Sequence, residues 1–196
     1  MEILIVYHSR LGSVQKMARL IGRGVESVEG CNAVLRSVAE VSADGGDSSL
    51  AESGDSFVEN SDLQNCSALI LGSPARFGNM SASIKYFLDD TSALWMSGTL
   101  AGKVAAVFTS SSSMHGGQES TLLSMLNPLL HHGMVICGLP YTEAALHKTT
   151  TGGTPYGASH FAGASNSNPI SEHEKSLCIA LGKRVAKLTV ALQSSE

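Results

Sequence analysis

With 196 residues, 43% of them hydrophobic, the chain has material for one domain with a full core and too little for two independent ones. Its formal net charge is −4 and its 13 Lys and Arg are scattered without a basic stripe, which argues against nucleic acid or an anionic membrane as a partner and in favour of small diffusible ligands. Four widely spaced cysteines, Cys31, Cys66, Cys137 and Cys178, contain no C-x-x-C, and no apolar run has the length of a signal core or a membrane span, so a soluble protein with reduced thiols in a cytoplasm is expected.

Ile3-Leu4-Ile5-Val6-Tyr7 is a β-rich apolar run that predicts a central parallel strand. From Val14, apolar residues recur at Met17, Ala18, Ile21 and Val25, the spacing of a helix, with Ser13 as the expected N-cap and Gly30 as the stop. Residues 32–38 alternate as a strand nearer a sheet edge does. Residues 39–62 hold seven of the seventeen acidic residues and no Lys or Arg, a composition that predicts a solvated acidic loop with a short helix at its end; an acidic docking surface is the alternative. The run 68–71, bounded by Gly72, predicts a third strand buried on both faces, and Ile84, Phe87 and Leu88 place a helix over 81–89. A fourth strand follows at 104–108, a helix at 118–132, a fifth strand at 134–137 and a long terminal helix at 172–192. The alternation predicts an α/β fold, a doubly wound five-stranded parallel sheet in a three-layer α/β/α arrangement, as a single domain over 1–196. Residues 138–171, rich in Gly, Thr, Ser and Asn, make an insertion too long for a simple connector, and Tyr141, Tyr156 and Phe161 favour an ordered lid or a subunit contact.

Open α/β sheets bind ligands at the carboxyl ends of their strands, so the loops there are the candidates. Ser9-Arg10-Leu11-Gly12-Ser13-Val14 joins a buried strand to a helix N-terminus, where unpaired N–H groups and the helix dipole favour an anion and two serines add hydroxyl donors. It lacks the G-x-x-x-x-G-K-[ST] of a P-loop, and Gly22-Arg23-Gly24 lies inside a helix without the third glycine of a dinucleotide fingerprint. A phosphomonoester fits; a plain turn with a serine cap is the alternative. The second loop, Gly72-Ser73-Pro74-Ala75-Arg76-Phe77-Gly78-Asn79-Met80, is stiffened by Pro74 and sets a cation beside a flat ring, which suits a planar anionic ligand better than an ordinary turn requires. The third runs from Thr109 through four serines to Met114, His115, Gly116 and Gly117. Phosphate, ring and the ring's other edge are the parts of a flavin mononucleotide (FMN) site at the switch point of a flavodoxin-like sheet. No metal is expected, since neither His115 nor His132 has a second ligand at metal spacing and Glu172-His173-Glu174 is not H-E-x-x-H. The serines, in the absence of a G-x-S-x-G elbow, are read as hydrogen-bond donors rather than nucleophiles.

With these residues in place the chain resembles the WrbA-type NAD(P)H:quinone oxidoreductases. The resemblance is carried by 72–80, Phe87-Leu88-Asp89, Leu94-Trp95, His115-Gly116-Gly117-Gln118-Glu119, His131-His132-Gly133-Met134 and 152–158, and is weakest over 39–62. It implies that Ser9, Arg10, Leu11, Gly12, Ser13 and Val14 hold the FMN phosphate, and that Ala75, Arg76 and Phe77 flank the ribityl chain and ring. Ser110, Ser111, Ser112, Ser113, Met114, His115 and Gly116 would line the isoalloxazine. His131 would reach the flavin or its substrates and is the one residue the resemblance offers for a catalytic role, the redox chemistry being otherwise the cofactor's. Leu11 and Trp95 would meet the substrate. This chain departs from the family at Leu11, where many members carry a nicotinamide-contacting Tyr, at Ala75, where Thr is usual, and at His8, where an aromatic is frequent. The implied activity is two-electron reduction of quinones to hydroquinones by NADH or NADPH in ping-pong order, in a cytoplasmic homotetramer whose pockets are completed by neighbours. A flavodoxin-like FMN electron carrier without turnover of its own is the alternative. A cofactor-free receiver module would need an Asp where Leu71-Gly72-Ser73 stands.

Overall fold

A computed structural model describes residues 1–41 and 54–193. The elements in chain order are β1 (Glu2–Tyr7), α1 (Ser13–Glu26), β2 (Asn32–Ser37), α2 (Asn60–Asn65), β3 (Ala68–Pro74), α3 (Ala82–Asp89), α4 (Ser92–Met96), β4 (Val104–Ser111), α5 (Gln118–His131), β5 (Val135–Ile136), α6 (Ala144–Lys148), β6 (Ala158–Phe161) and α7 (Glu172–Gln193). The strands pair in parallel in the order β2-β1-β3-β4-β5, the doubly wound order expected of a flavodoxin-like sheet. Leu4 lies between Val34 and Leu69 in register, and the strand order reverses between β1 and β3, so the loops after these two strands flank the switch point.

Alternation along the strands separates two cores. Ile3, Ile5, Tyr7, Ile70, Ala106 and Phe108 face α1 and α7, while Leu4, Val6, Leu69, Leu71, Ala105 and Val107 face α3 and α5, which gives the three layers. Each fully buried Ile or Leu contributes about 1.5–3 kcal/mol, enough to hold a sheet whose central strands carry little but aliphatic residues. Gly24 and Gly182 sit where α1 and α7 touch: a Cβ on Gly24 would lie 2.1 Å from the Ile179 carbonyl oxygen, and one on Gly182 would lie 2.0 Å from that of Ile21. The Gly22-Arg23-Gly24 stretch therefore serves helix packing rather than nucleotide binding.

The fifth strand position differs from its expectation at 134–137. β5 pairs Val135 and Ile136 with Val104 and Ala105, and β6 pairs 158–161 with 108–111. Because β3 occupies the other edge of β4 over 104–110, both pieces lie on the same edge and share one strand position. The chain leaves the sheet after Ile136, forms α6 and returns at Ala158. Glycines permit the return, for a Cβ on Gly157 would meet the Val107 carbonyl oxygen at 2.1 Å and one on Gly138 would meet that of Pro155 at 2.3 Å. The glycine-rich stretch 138–171 thus carries half of a core strand, with Ala158, Ser159 and His160 buried.

Of the acidic stretch expected at 39–62, residues 42–53 lie outside the described residues. Its described end folds back on β2, with Ser37 N–H donating to the Ser56 carbonyl at 2.9 Å and Val58 N–H to that of Ser37 at 2.9 Å. Arg19 pairs with Asp55 at 2.7 Å and Arg36 with Asp62 at 3.0 Å, and Asp55 also accepts from the Tyr7 hydroxyl. Those two carboxylates are bound within the chain rather than presented to a partner. Among the described residues no helix is long and apolar enough to cross a membrane.

Candidate functional site

The carboxyl ends of β1, β3, β4 and β6 open into one cleft, lined by Ser9, Arg10, Leu11, Ser13, Val14, residues 74–76 and 110–112, residues 162–164 and Asn166. Two guanidinium groups and several serines line it and no carboxylate does, a donor set that suits an anion. α1 begins here without a side-chain cap. Gly12, with φ of 84°, is its N-cap, and Ser13, expected as the cap, is instead the first helical residue, its hydroxyl turned to Asn166 Oδ1 at 2.8 Å. Gln15 N–H donates to Ser9 Oγ at 3.3 Å, while the N–H groups of Gly12, Ser13 and Val14 have no acceptor among the described residues. Those N–H groups and the positive end of the helix dipole form the ready anion site. The residues present fit a flavin phosphate.

The second loop is a tight reversal. Arg76 N–H donates to the Asn79 carbonyl at 2.8 Å and Asn79 N–H to that of Arg76 at 2.9 Å, with Phe77 (φ 51°) and Gly78 (φ 72°) between them, the backbone of a type I′ turn. A left-handed aromatic residue costs about 1–2 kcal/mol, and the turn throws the Phe77 ring entirely into solvent, at 109% relative exposure. The loop is fastened to β4 by Ala75 N–H on the Ser110 carbonyl (2.8 Å) and by Thr109 Oγ1 on the Ser73 carbonyl (2.7 Å). Gly117 closes it from the other side, since a Cβ there would lie 2.6 Å from Gly78 Cα. His8, buried at the end of β1, meets Ser81 Oγ, the N-cap of α3, through Nδ1 at 3.0 Å. Burial lowers its pKa, with Arg76 and Arg10 adding to the effect against the attraction of Glu40, so this ring is neutral and ties the first loop to the second.

Ser110 and Ser111 are the last residues of β4 rather than loop residues, because the β3 ladder continues through Pro74 and Ser110. Gln118 Nε2 donates to Ser111 Oγ at 2.9 Å, and that hydroxyl donates to the Ser113 carbonyl at 2.7 Å. Ser113, Met114, His115 and Gly116 form the exposed tip beyond, outside the lining of the cleft. Trp95 and His131 stand elsewhere again. They line a separate apolar groove with Leu88, Thr91, Pro128 and His132, and Trp95 Nε1 donates to the His131 carbonyl at 2.8 Å. Within one chain the three loops come together, and these two residues do not join them. His132 packs behind the groove: Thr91 Oγ1 gives its proton to the Leu88 carbonyl (2.6 Å), so the 2.9 Å contact requires the hydrogen on His132 Nε2. Burial and the neighbouring His131 lower the His132 pKa, consistent with that neutral tautomer.

Sequence reasoning missed the fourth wall of the cleft, residues 162–166. Asn166 (φ 55°) donates through Nδ2 to the Leu11 carbonyl at 2.9 Å and accepts from Ser13 Oγ, joining the insertion to the first loop. Behind this wall lies Glu174, 1% exposed. Its Oε1 accepts from Gly152 N–H (2.8 Å) and Phe161 N–H (2.9 Å), and its Oε2 accepts from Ser171 N–H (2.7 Å) and lies 3.1 Å from His160 Nδ1. Burial alone would raise this carboxyl, but the bonds from His160, Phe161 and Ser171 together outweigh it and bring the pKa to about 2. Ser171 and Glu174 form a capping box for α7, the one part of this arrangement with a sequence signal, S-x-x-E before a helix.

The family described as NADPH-dependent FMN reductase matches residues 3–146. A protein of Trichlorobacter lovleyi named NAD(P)H dehydrogenase (quinone) is 42% identical over 202 residues, covering 97% of this chain and 98% of its own. A protein of the same name from Solidesulfovibrio magneticus is 39% identical over 206 residues, covering 99% of this chain and 100% of its own. Among solved structures, a WrbA-like flavodoxin protein from Agrobacterium tumefaciens superposes with a TM-score of 0.68 at 25% identity, covering 97% of this chain and 98% of that one.

Proposed function

The chain belongs to the NADPH-dependent FMN reductase family, and on that premise we propose that it is an FMN-dependent oxidoreductase that reduces quinones with NAD(P)H. The observation that carries the reading is the convergence of three carboxyl-end loops on one cleft with two arginines, a row of serines and an uncapped helix start, at the switch point of the sheet. FMN bound in the cleft would supply the two-electron redox chemistry between NAD(P)H and a quinone, the two substrates entering in ping-pong order. The chain's own residues bind and orient. The N–H groups of 12–14 and the Ser9 hydroxyl would hold the phosphate, Ala75 and Arg76 would position the ribityl chain and ring, and 110–112 would line the ring's polar edge, where negative charge develops. Arg76 Nη1 donates to the Ala75 carbonyl at 3.0 Å, which keeps its guanidinium folded over the loop and supports a positioning role.

Trp95 and His131 lie in their own groove, and Phe77, Leu11 and Met114 expose their side chains around the cleft. We read both as parts of an incomplete pocket, closed in a cytoplasmic homotetramer when Trp95 and His131 of one subunit meet the flavin face of another. Leu11, 67% exposed, would then contact the nicotinamide in place of a tyrosine. The described chain serves as a single domain in this assembly.

The test is direct. Protein refilled with FMN should oxidise about one equivalent of NADH or NADPH per flavin alone and turn over repeatedly only when benzoquinone is supplied, with parallel double-reciprocal lines, and should sediment as a tetramer. Failure to turn over with either nucleotide would sink the enzyme reading and leave the electron carrier. Intersecting lines would remove the ping-pong order, and a monomer with full activity would remove the shared pocket.

A further inference from the structure

Asn166 and Ser13 are separated by 153 residues in the sequence, yet their side chains meet inside the cleft at 2.8 Å. The loop that brings Asn166 there follows β6 and is itself fastened, with Asn168 N–H on the Ala162 carbonyl (3.0 Å), Asn168 Nδ2 on the Phe161 carbonyl (3.2 Å) and Asn166 N–H on the Gly163 carbonyl (3.1 Å). Asn166 adopts a left-handed backbone, φ 55°, a conformation that asparagine tolerates better than other non-glycine residues, and this directs both ends of its amide to the first loop. Nδ2 donates to the Leu11 carbonyl at 2.9 Å, and Oδ1 takes the Ser13 hydroxyl proton.

Two consequences follow from these bonds. A trans peptide sets its C=O and N–H antiparallel, so fixing the Leu11 carbonyl also fixes the direction of the Gly12 N–H. The Ser13 hydroxyl, at the first helical position after the Gly12 N-cap, is held in one direction by Asn166, which fixes the start of α1 where the N–H groups of 12–14 are free for an anion.

We propose that Asn166 is a positioning residue for the phosphate of the flavin: it preorganises the 9–14 loop and so makes the cleft select a phosphorylated flavin over its dephosphorylated form. The inference rests on the reading of the cleft as an FMN site. Asn166 acts through Leu11 and Ser13 and is not required to touch the flavin.

The test titrates the flavin-free full-length protein with FMN and with riboflavin, following quenching of flavin fluorescence. Asn166→Gly is the primary variant, since glycine accepts the same backbone angle. Losing two hydrogen bonds that hold the loop should weaken FMN binding roughly tenfold or more while leaving riboflavin affinity unchanged. Ser13→Ala, which removes one of those bonds from the other side, should weaken FMN less, and the double variant should be no weaker than Asn166→Gly alone. If Asn166→Gly does not fold, the Ser13→Ala comparison of FMN with riboflavin decides by itself. Unchanged or tighter FMN binding would overturn the proposal, the latter by showing that Asn166 occupies the phosphate's place. Equal losses for FMN and riboflavin would overturn it too, as the mark of a general structural role. Wild-type protein that binds neither flavin would refute the FMN reading itself and this inference with it, whereas wild-type binding with an unaffected variant refutes only the inference.

Discussion

Glu174→Gln places a neutral side chain of nearly the same shape where four donors converge. The wild-type carboxylate offers two oxygens, each facing two of those donors. An amide keeps one oxygen and turns an NH2 toward the other pair, so two buried donors lose their acceptor. With a pKa of about 2 in the fold against an ordinary 4.5, the carboxylate's advantage over its neutral form amounts to about 3 kcal/mol. Because the folded value lies below the unfolded one, that stabilisation is complete above the ordinary carboxyl range and disappears as the pH falls from 4.5 toward 2. At neutral pH the variant should therefore be about 3 kcal/mol less stable, a fall in Tm of roughly 6–12 °C. At pH 3 the gap should shrink to about half. Urea denaturation of both proteins at pH 7 and pH 3 measures this. A variant within about 0.5 kcal/mol of wild type at pH 7, or the same gap at both pH values, would refute the reasoning. Since Phe161 N–H and Gly152 N–H are among the donors, loosening Glu174 also frees the strand that delivers residues 162–166 to the cleft, and FMN affinity should fall with stability.

Phe77→Gly removes a left-handed aromatic that makes no use of burial, so the isolated subunit should keep its stability or gain up to about 1 kcal/mol while quinone reduction falls; a loss above 1 kcal/mol in urea would show that the ring packs within the subunit. Gly117→Ala sets a methyl 2.6 Å from Gly78 Cα at a φ of 90°, and should cost about 2 kcal/mol or more in denaturation together with weaker FMN binding. An alanine variant with wild-type stability would mean that the second and third loops separate freely. All four cysteines are buried, and burial pushes Cys66 up to about 11 and raises Cys137 and Cys178 as well, so an aromatic disulfide reagent at pH 8 should label none until denaturant is added. Stoichiometric labelling of the native protein would contradict that burial.

Runs such as 3–7, 68–71 and 104–108 announced their strands because a strand covered on both faces can afford almost no polar residue, and composition alone then marks it. The loops that follow were legible for the same reason, since the change from aliphatic to Gly, Ser and Pro marks where the sheet stops. Local reasoning failed where partners are distant. Ser13 reads as a cap by its neighbours, but Gly12 takes that position and the Ser13 hydroxyl, one residue into the helix, finds Asn166, folded back from beyond the insertion. The fifth strand reads as four residues at 134–137, and its second half at 158–161 is too polar to be recognised, because Ser159 and His160 are buried against Gly153 N–H and Glu174 rather than against aliphatic side chains.

The sequence by itself determined the α/β class, the strands at 3–7, 68–71 and 104–108 and the three loops at their carboxyl ends, because these depend on hydrophobic periodicity and turn chemistry within a few residues. Tertiary structure alone decided that the glycine-rich insertion returns to complete the sheet, that its tail forms the fourth wall of the cleft, and that Trp95 and His131 stand apart from that cleft. Those placements depend on which backbones can approach and which buried donors find acceptors. Neither is written in any window of the chain short enough to read as a pattern.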